Sequence, residues 1–262
     1  MRVGIIGATG WLGSALGQHL LFGRVVPAEA LVLLNRSGPR ADYHGHRPHW
    51  AADVAELVAL ADVIVVSVRP EDWHGLALQA PGKLVLSFMA GVGADLLAAS
   101  GGRIVRAMPN AAAESGNSYS PFWAAPGVTP EDREAVRRIL GAIGTTDELP
   151  AEAQIDLMTA LPGSGAAYPA LMAMAMADFM TGHGVPETVA WRAVEAAVCG
   201  GAAMLAGRPQ RAVELVAAYR DYRGTTAAGI EAAEAAGFPQ AVARALEAAM
   251  EKARRLVAPA PT

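Results

Sequence analysis

A glycine-rich loop near the amino terminus constrains the fold of this chain more than any other feature. The apolar run Val3–Ile6 has the β-branched character of a buried strand, and a helical pattern over Leu12–Leu21 follows it. Between them lies the loop Gly7-Ala8-Thr9-Gly10-Trp11-Leu12-Gly13. Glycines at such a turn let backbone N–H groups approach a pyrophosphate at the positive end of the helix dipole. The loop therefore predicts a dinucleotide site whose cofactor-binding residues are Gly7, Thr9, Gly10, Trp11 and Leu12.

The first half of the chain alternates short apolar runs with helical patterns. Further strands are predicted at Ala30–Leu34, Val63–Val68, Lys83–Phe88 and Arg103–Ala107. This alternation is typical of right-handed βαβ units. We therefore expect an α/β, Rossmann-type domain with a doubly wound parallel sheet over residues 1–150. Gly144-Thr145-Thr146 is expected to end the sheet.

The second half has a different character, because the β-branched alternation stops near Ala151 and Ala-, Leu- and Met-rich helical patterns continue to Leu256. We expect an all-α domain over residues 151–258 and a disordered tail over 259–262. Met172, Met174 and Met176 follow one another at alternate positions, which point to different faces of a helix. This spacing favours a helix covered by a second chain, with ordinary core as the alternative.

The cofactor's adenosine end is expected at the residues after the second strand. An acidic residue there normally binds the ribose 2′-hydroxyl, but this chain has Asn35-Arg36-Ser37 instead. No carboxylate would repel a 2′-phosphate, and a guanidinium with two neutral donors could bind it. The segment favours NADPH over NADH, and an exposed surface arginine is the alternative.

Two further strand ends are expected on the nicotinamide side of the site. Val68-Arg69-Pro70 lies at the end of the third strand, and Ala90-Gly91-Val92 follows the fourth. The carboxyl edge of a parallel sheet is where a Rossmann domain carries its ligands. Val68, Arg69, Pro70 and Ala90 are therefore predicted to contact the cofactor.

Composition excludes several functional classes. A net charge of −4 offers no basic field for nucleic acid, and no Lys/Arg run suggests a membrane surface. The single cysteine, Cys199, excludes a disulfide framework and a multi-cysteine metal site. The amino terminus lacks the features of a secretory signal, and the longest uncharged stretch is interrupted by proline and glycine. We expect a cytoplasmic protein without a membrane span.

His44, His46 and His49 are dense enough to suggest zinc. Arg47 and Pro48 intervene, however, so a solvated loop is the favoured interpretation and no metal site is expected.

Several segments, taken in order, resemble the pyrroline-5-carboxylate reductase family. In the first half they are Asn35-Arg36-Ser37, Val68-Arg69-Pro70, Ala90-Gly91-Val92 and Arg106-Ala107-Met108-Pro109-Asn110. In the second half, residues 159–168 (TALPGSGAAY) are similar to the family's TALSGSGPAY segment. Ala177-Asp178, Gly184-Val185-Pro186 and Arg223-Gly224-Thr225-Thr226-Ala227-Ala228-Gly229 follow at similar intervals. The resemblance covers nearly the whole chain.

The resemblance implies an NADPH-dependent reductase that makes proline from a cyclic imine, with a helical domain that forms a homodimer. It implies that Thr225 is the catalytic hydroxyl nearest the imine nitrogen. Gly224 and Thr226, with Ser164, are implied to bind the substrate, and Asn110 to contact the cofactor. Two hydroxyls and free N–H groups at a helix start also form a compact anion site. A plain helix cap is the alternative for Thr225 and Thr226.

The chain departs from the family where the substrate is held. The family's SPGGTT is replaced by Asp221-Tyr222-Arg223-Gly224-Thr225-Thr226. Tyr222 and Arg223 are therefore candidate substrate-binding residues, and reduction of a different cyclic imine is an alternative activity. A non-catalytic NADP-binding protein is a second alternative. A 3-hydroxyacid dehydrogenase would need a lysine early in the helical domain, and the chain's lysines are only Lys83 and Lys252.

Overall fold

The computed structural model describes residues 1–256 and divides into two compact units. The first unit comprises Met1–Ser164 and the described residues from Ala248 to Leu256, and the second comprises Gly165–Glu247. Contacts thus divide the chain after Ser164, whereas the sequence placed the division after residue 150. The predicted disordered tail, 259–262, lies outside the described residues. Within residues 1–256, no helix combines the length and apolarity needed to cross a bilayer.

A seven-stranded sheet forms the centre of the first unit, in the order β3-β2-β1-β4-β5-β6-β8. Its strands are β1 (Val3–Ile6), β2 (Leu31–Leu34), β3 (His49–Trp50), β4 (Val63–Val66), β5 (Leu84–Ser87), β6 (Arg103–Ala107) and β8 (Phe122–Ala124). All neighbouring pairs are parallel except β6 with β8. The expected doubly wound parallel sheet is confirmed, with an added antiparallel edge strand.

Both faces of this sheet are covered, because successive side chains of a strand point to opposite faces. In β4, Val63 and Val65 join one apolar core while Ile64 and Val66 join the other. The helices of the first unit are α1 (Trp11–Phe22), α2 (Val54–Leu60), α3 (Trp73–Leu76), α4 (Ala94–Leu97), α5 (Pro130–Gly141) and α6 (Gln154–Met158). Side chains of α1 and α5 complete the first core, and those of α2 and α4 the second.

The expectation that Gly144-Thr145-Thr146 ends the main sheet is wrong. β9 (Gly144–Thr145) pairs in parallel with β7 (Ser118–Tyr119) in a separate two-stranded sheet. Gly144 can do so only as glycine, because a Cβ there would lie 2.0 Å from the Ser118 carbonyl oxygen. The strand that closes the main sheet is β8, whose three residues are too few to show a clear pattern.

Helices make up the second unit, as the composition predicts. They are α7 (Ala167–Gly182), α8 (Glu187–Glu195), α9 (Gly201–Ala203), α10 (Arg211–Tyr222), α11 (Thr225–Ala235) and α12 (Phe238–Arg255), whose last turns belong to the first unit. In α7 only Ala177 is buried, and Leu171 and Phe179 remain 67% and 64% exposed. The chain therefore does not cover this helix by itself.

Candidate active site

The glycine loop forms a tight cradle between β1 and α1. Gly7 has a left-handed backbone (φ +86°), and a Cβ there would lie 2.3 Å from the Ser67 carbonyl oxygen. A Cβ on Gly13 would lie 2.3 Å from the carbonyl oxygen of Gly7. Both contacts are far below van der Waals distance, so only glycine fits these positions.

The cradle leaves donors free for an anion. Gly10 is the N-cap of α1, no side chain caps the helix, and its first turn has no acidic residue. The first N–H groups of a helix lack partners within the helix, and they lie at the positive end of its dipole. Thr9 and Leu12 are half-buried, and Trp11 is 63% exposed beside these donors. This geometry fits the pyrophosphate of a dinucleotide.

Asn35, Arg36 and Ser37 lie directly after β2, next to the cradle. The link is the Leu34 carbonyl, which accepts hydrogen bonds from the N–H groups of Gly7 (2.9 Å) and Ala8 (3.2 Å). The Asn35 side chain donates to the Ser37 hydroxyl. Arg36 is 89% exposed, and its Nη1 lies 3.5 Å from Asp72. Exposed pairs of this kind are weak, so a phosphate could replace Asp72 as the partner of Arg36.

The ends of β4 and β5 lie at the same carboxyl edge. Val68 and Pro70 are half-buried, whereas Arg69 is exposed and only 3.9 Å from Glu71. Ala90 leads into Gly91, which has a left-handed backbone (φ +75°). A Cβ on Gly91 would lie 2.4 Å from the Ala253 carbonyl oxygen. The last helix of the chain therefore packs directly against this turn, a contact that the sequence did not predict.

An ion pair made by a buried arginine also holds this edge, and the sequence did not predict it. Arg106, at the end of β6, is 4% exposed and donates to Glu152 at 2.7 Å. The same Glu152 oxygen accepts from the N–H of Ala94 (2.7 Å), at the start of α4. The available signal was an arginine between the apolar residues Val105 and Ala107 of a predicted strand, since a buried charge is normally paired. Asn110, three residues beyond β6, uses its side-chain oxygen to accept from the Ala112 N–H.

In the second unit, the candidate substrate residues lie at the junction of α10 and α11. Arg223 follows α10 in the left-handed region (φ 54°), and Gly224 is the extended N-cap of α11. Thr225 and Thr226 form the exposed start of α11, whose first turn has no acidic residue and no side-chain cap. Tyr222 is 85% exposed. The junction thus presents two hydroxyls, a guanidinium and free N–H groups.

Ser164 lies in the first unit rather than in the second. It follows a π-helical segment, Thr159–Gly163, that contains Pro162. Its hydroxyl donates to the Thr159 carbonyl at 3.0 Å. Segments of π-helix are frequent at functional sites, which keeps Ser164 a candidate for substrate binding.

Comparison with known proteins relates these features to a family of enzymes. A pyrroline-5-carboxylate reductase of Pseudomonas aeruginosa is 33% identical over 269 residues, covering 97% of this chain and 96% of that protein. The chain belongs to the pyrroline-5-carboxylate reductase family. The reductase of Escherichia coli is 30% identical, covering 97% of this chain and 98% of that one. A family model described as pyrroline-5-carboxylate reductase dimerisation matches residues 152–256.

Solved structures of reductases in the same family share the fold. The pyrroline-5-carboxylate reductase of Coxiella burnetii aligns with a TM-score of 0.84 and 26% identity, over 98% of each chain. A Plasmodium falciparum pyrroline carboxylate reductase crystallised with NADP aligns with a TM-score of 0.80 over 98% of each chain. At 24% identity, the second likeness shows the fold alone. The resemblance noted from the sequence motifs is thereby confirmed over the whole chain.

Proposed function

We propose that this chain is an NADPH-dependent oxidoreductase that reduces the C=N bond of 1-pyrroline-5-carboxylate to give L-proline. One observation carries the proposal. This chain of the reductase family contains both the glycine cradle and the Gly224-Thr225-Thr226 helix start. The cradle suits a dinucleotide. The helix start suits a small carboxylate beside an imine nitrogen.

Specific residues fit the phosphates of NADPH. The pyrophosphate would be held by the free N–H groups of Thr9 and the first turn of α1. The 2′-phosphate would be held by Arg36, with the donors of Asn35 and Ser37 beside it. No acidic residue stands among these three, and the phosphate would replace the Asp72 carboxylate that lies 3.5 Å from Arg36. NADPH, when bound, supplies the hydride.

The protein has few chemical tasks in such a reduction, because the C=N carbon of an imine is already electrophilic. In the proposed reaction that carbon gains a hydride and the ring nitrogen gains a proton. The Thr225 hydroxyl donates a hydrogen bond to the nitrogen and assists its protonation. Thr226 and the free N–H groups at the start of α11 bind the substrate carboxylate. This division of roles needs no His/Asp pair.

A second candidate function is the reduction of a larger cyclic imine that carries an additional acidic group. The observation that favours it is Arg223, a non-glycine residue with a left-handed backbone directly before Gly224. A left-handed backbone costs a non-glycine residue energy, and Arg223 presents an exposed guanidinium there. The planar fork of an arginine is suited to a carboxylate.

One assay tests the activity and separates these candidates. NADPH absorbance is followed with a panel of five- and six-membered cyclic imino acids, using the parent protein and a Tyr222→Pro, Arg223→Gly double variant. We expect kcat/KM in the parent to be highest for 1-pyrroline-5-carboxylate, and the double variant to prefer it further. If a larger acidic imine is the substrate, the double variant loses activity on it and gains little elsewhere. NADPH binding without oxidation by any imine would refute both candidates.

We further propose that the protein is a homodimer formed through its helical unit. Met172, Met176 and Phe179 line an open apolar cavity of about 430 Å³ on α7 and α8. A large apolar surface that the chain leaves exposed normally marks an interface with another chain. The family model that matches this part of the chain is one for dimerisation.

Sedimentation should therefore show at least a dimer at micromolar concentration. The Phe179→Lys variant should dimerise more weakly, because a lysine charge cannot be buried in the interface without a partner. The matched control is Phe22→Lys, since Phe22 on α1 is 59% exposed but lies in the first unit. That variant should sediment like the parent. A folded, active monomer of the parent chain would refute the dimer.

A further inference from the structure

The segment between β2 and β3 was expected to be a solvated loop, and most of its residues are exposed, but one turn anchors it to the protein. The N–H of Tyr43 donates to the His46 carbonyl (3.3 Å), and the N–H of His46 donates back to the Tyr43 carbonyl (3.1 Å). The two residues between them, His44 and Gly45, are both left-handed (φ 54° and 77°). This is the backbone of a type I′ turn, which joins short antiparallel arms. The turn brings Tyr43 into the first core, where it is 2% exposed.

The three histidines of this segment have separate partners. The His44 ring lies 3.1 Å from the Ser14 hydroxyl on α1, and the His49 ring lies 2.8 Å from Glu56 on α2. The His46 ring instead contacts Phe22, with 6.1 Å between the ring centroids. Within residues 1–256, no three metal-binding side chains come together. The segment is therefore anchored to the protein through Tyr43 and His44.

The buried hydroxyl of Tyr43 reaches the glycine cradle. It donates to the Ala8 carbonyl at 3.0 Å and lies 3.4 Å from the Gly13 carbonyl, so one side chain contacts both ends of the loop. A Cβ on Gly17 would lie 2.1 Å from this hydroxyl, so the glycine on α1 makes room for it. Burial raises the pKa of Tyr43, which therefore keeps its proton and remains a donor.

This hydrogen bond sets the direction of one peptide plane. In a trans peptide the C=O and the following N–H point in opposite directions. Because the Ala8 carbonyl points to Tyr43, the Thr9 N–H points away from it. Among the described residues, no hydrogen bond occupies this N–H, although the N–H groups of Gly7, Ala8 and Gly10 are all bonded.

We infer that Tyr43 is a positioning residue for the dinucleotide, and that its hydroxyl aims the Thr9 N–H at the cofactor's pyrophosphate. The inference rests on the proposed function only as far as NADPH binding. Tyr43 does not touch the cofactor in this role but acts through the Ala8–Thr9 peptide. Tyr43 therefore strengthens cofactor binding at the pyrophosphate and does not affect binding of the adenosine 2′-phosphate.

The test is Tyr43→Phe in the full chain, with affinities for NADPH and for adenosine 2′-monophosphate measured by calorimetry. The second ligand occupies the Arg36 end and has no pyrophosphate. We expect the NADPH Kd to rise about threefold to tenfold, as for loss of one neutral hydrogen bond. The Kd of adenosine 2′-monophosphate and kcat at saturating NADPH should not change.

Tyr119→Phe is the matched control, because Tyr119 is a half-buried tyrosine of the first unit whose pKa is raised by burial and by the nearby Asp147, and among the described residues its side chain makes no hydrogen bond to the cradle. It should leave both affinities unchanged. Gly17→Ala tests the same hydrogen bond in a second way, because its methyl group displaces the Tyr43 hydroxyl without deleting it. We expect the NADPH Kd to rise and the Kd of adenosine 2′-monophosphate to stay unchanged. Equal weakening of both ligands, or an unchanged NADPH Kd in the Tyr43→Phe protein, would overturn the inference. If the parent binds NADPH but reduces no imine, the proposed reaction fails while this inference can still hold.

Discussion

Replacing Thr225 with alanine should lower the turnover of the cyclic imine by about tenfold to a thousandfold, the range for one positioned hydrogen bond or proton donor. The hydroxyl lies at the first position of α11, exposed and next to the Gly224 N-cap. Only this side chain is proposed to assist the ring nitrogen, so its loss should appear in kcat. The NADPH affinity should stay near that of the parent, and steady-state kinetics at saturating NADPH would measure the difference.

Three comparisons sharpen this test. Thr225→Ser keeps the hydroxyl and should retain most of the turnover. Thr226→Ala should raise the KM for the imine more than it lowers kcat, because Thr226 is proposed to bind the carboxylate. Thr188→Ala is the matched control, since Thr188 is another exposed threonine in the first turn of a helix of the same unit. Full turnover in the Thr225→Ala protein would mean that the reacting imine lies elsewhere.

Replacing Arg36 with alanine should raise the Kd for NADPH by about tenfold to a hundredfold, from the loss of a charge-assisted contact of about 1.5–3 kcal/mol. NADH has no 2′-phosphate, so its affinity should change little. The Arg36 guanidinium is 89% exposed and its pairing with Asp72 is loose, at 3.5 Å. Removing the side chain should therefore leave the stability of the protein near that of the parent.

Arg47→Ala is the control for this variant. Arg47 precedes β3, in a cavity lined also by Arg2 and Glu29 at the amino-terminal edge of the sheet, whereas Arg36 follows β2 at the carboxyl edge. Both arginines are exposed, so the two variants remove the same charge from opposite ends of the strands. If the Arg36→Ala protein loses affinity for NADPH and NADH equally, Arg36 does not bind the 2′-phosphate.

The sequence by itself determined the five consecutive parallel strands β2, β1, β4, β5 and β6 at the centre of the first unit and the position of its glycine loop. Strands Val3–Ile6 and Arg103–Ala107 have the predicted bounds, because each contains β-branched apolar residues and is bordered by a glycine at one end. The cradle was predictable for the same reason, since its glycines follow the strand directly. The change to helices in the second half was equally visible in composition.

The tertiary structure alone decided which distant residues contact the glycine cradle and the carboxyl edge of the sheet. Tyr43 contacts Ala8 across 35 residues, and Arg106 contacts Glu152 across 46. The last helix returns to Gly91 and joins the first unit, so that unit is not a continuous stretch of chain. Periodicity reports the face on which a residue lies, but it does not report which distant residue meets it. Those partners are set by how the strands and helices pack, since each buried hydroxyl or guanidinium must find an acceptor within the folded chain.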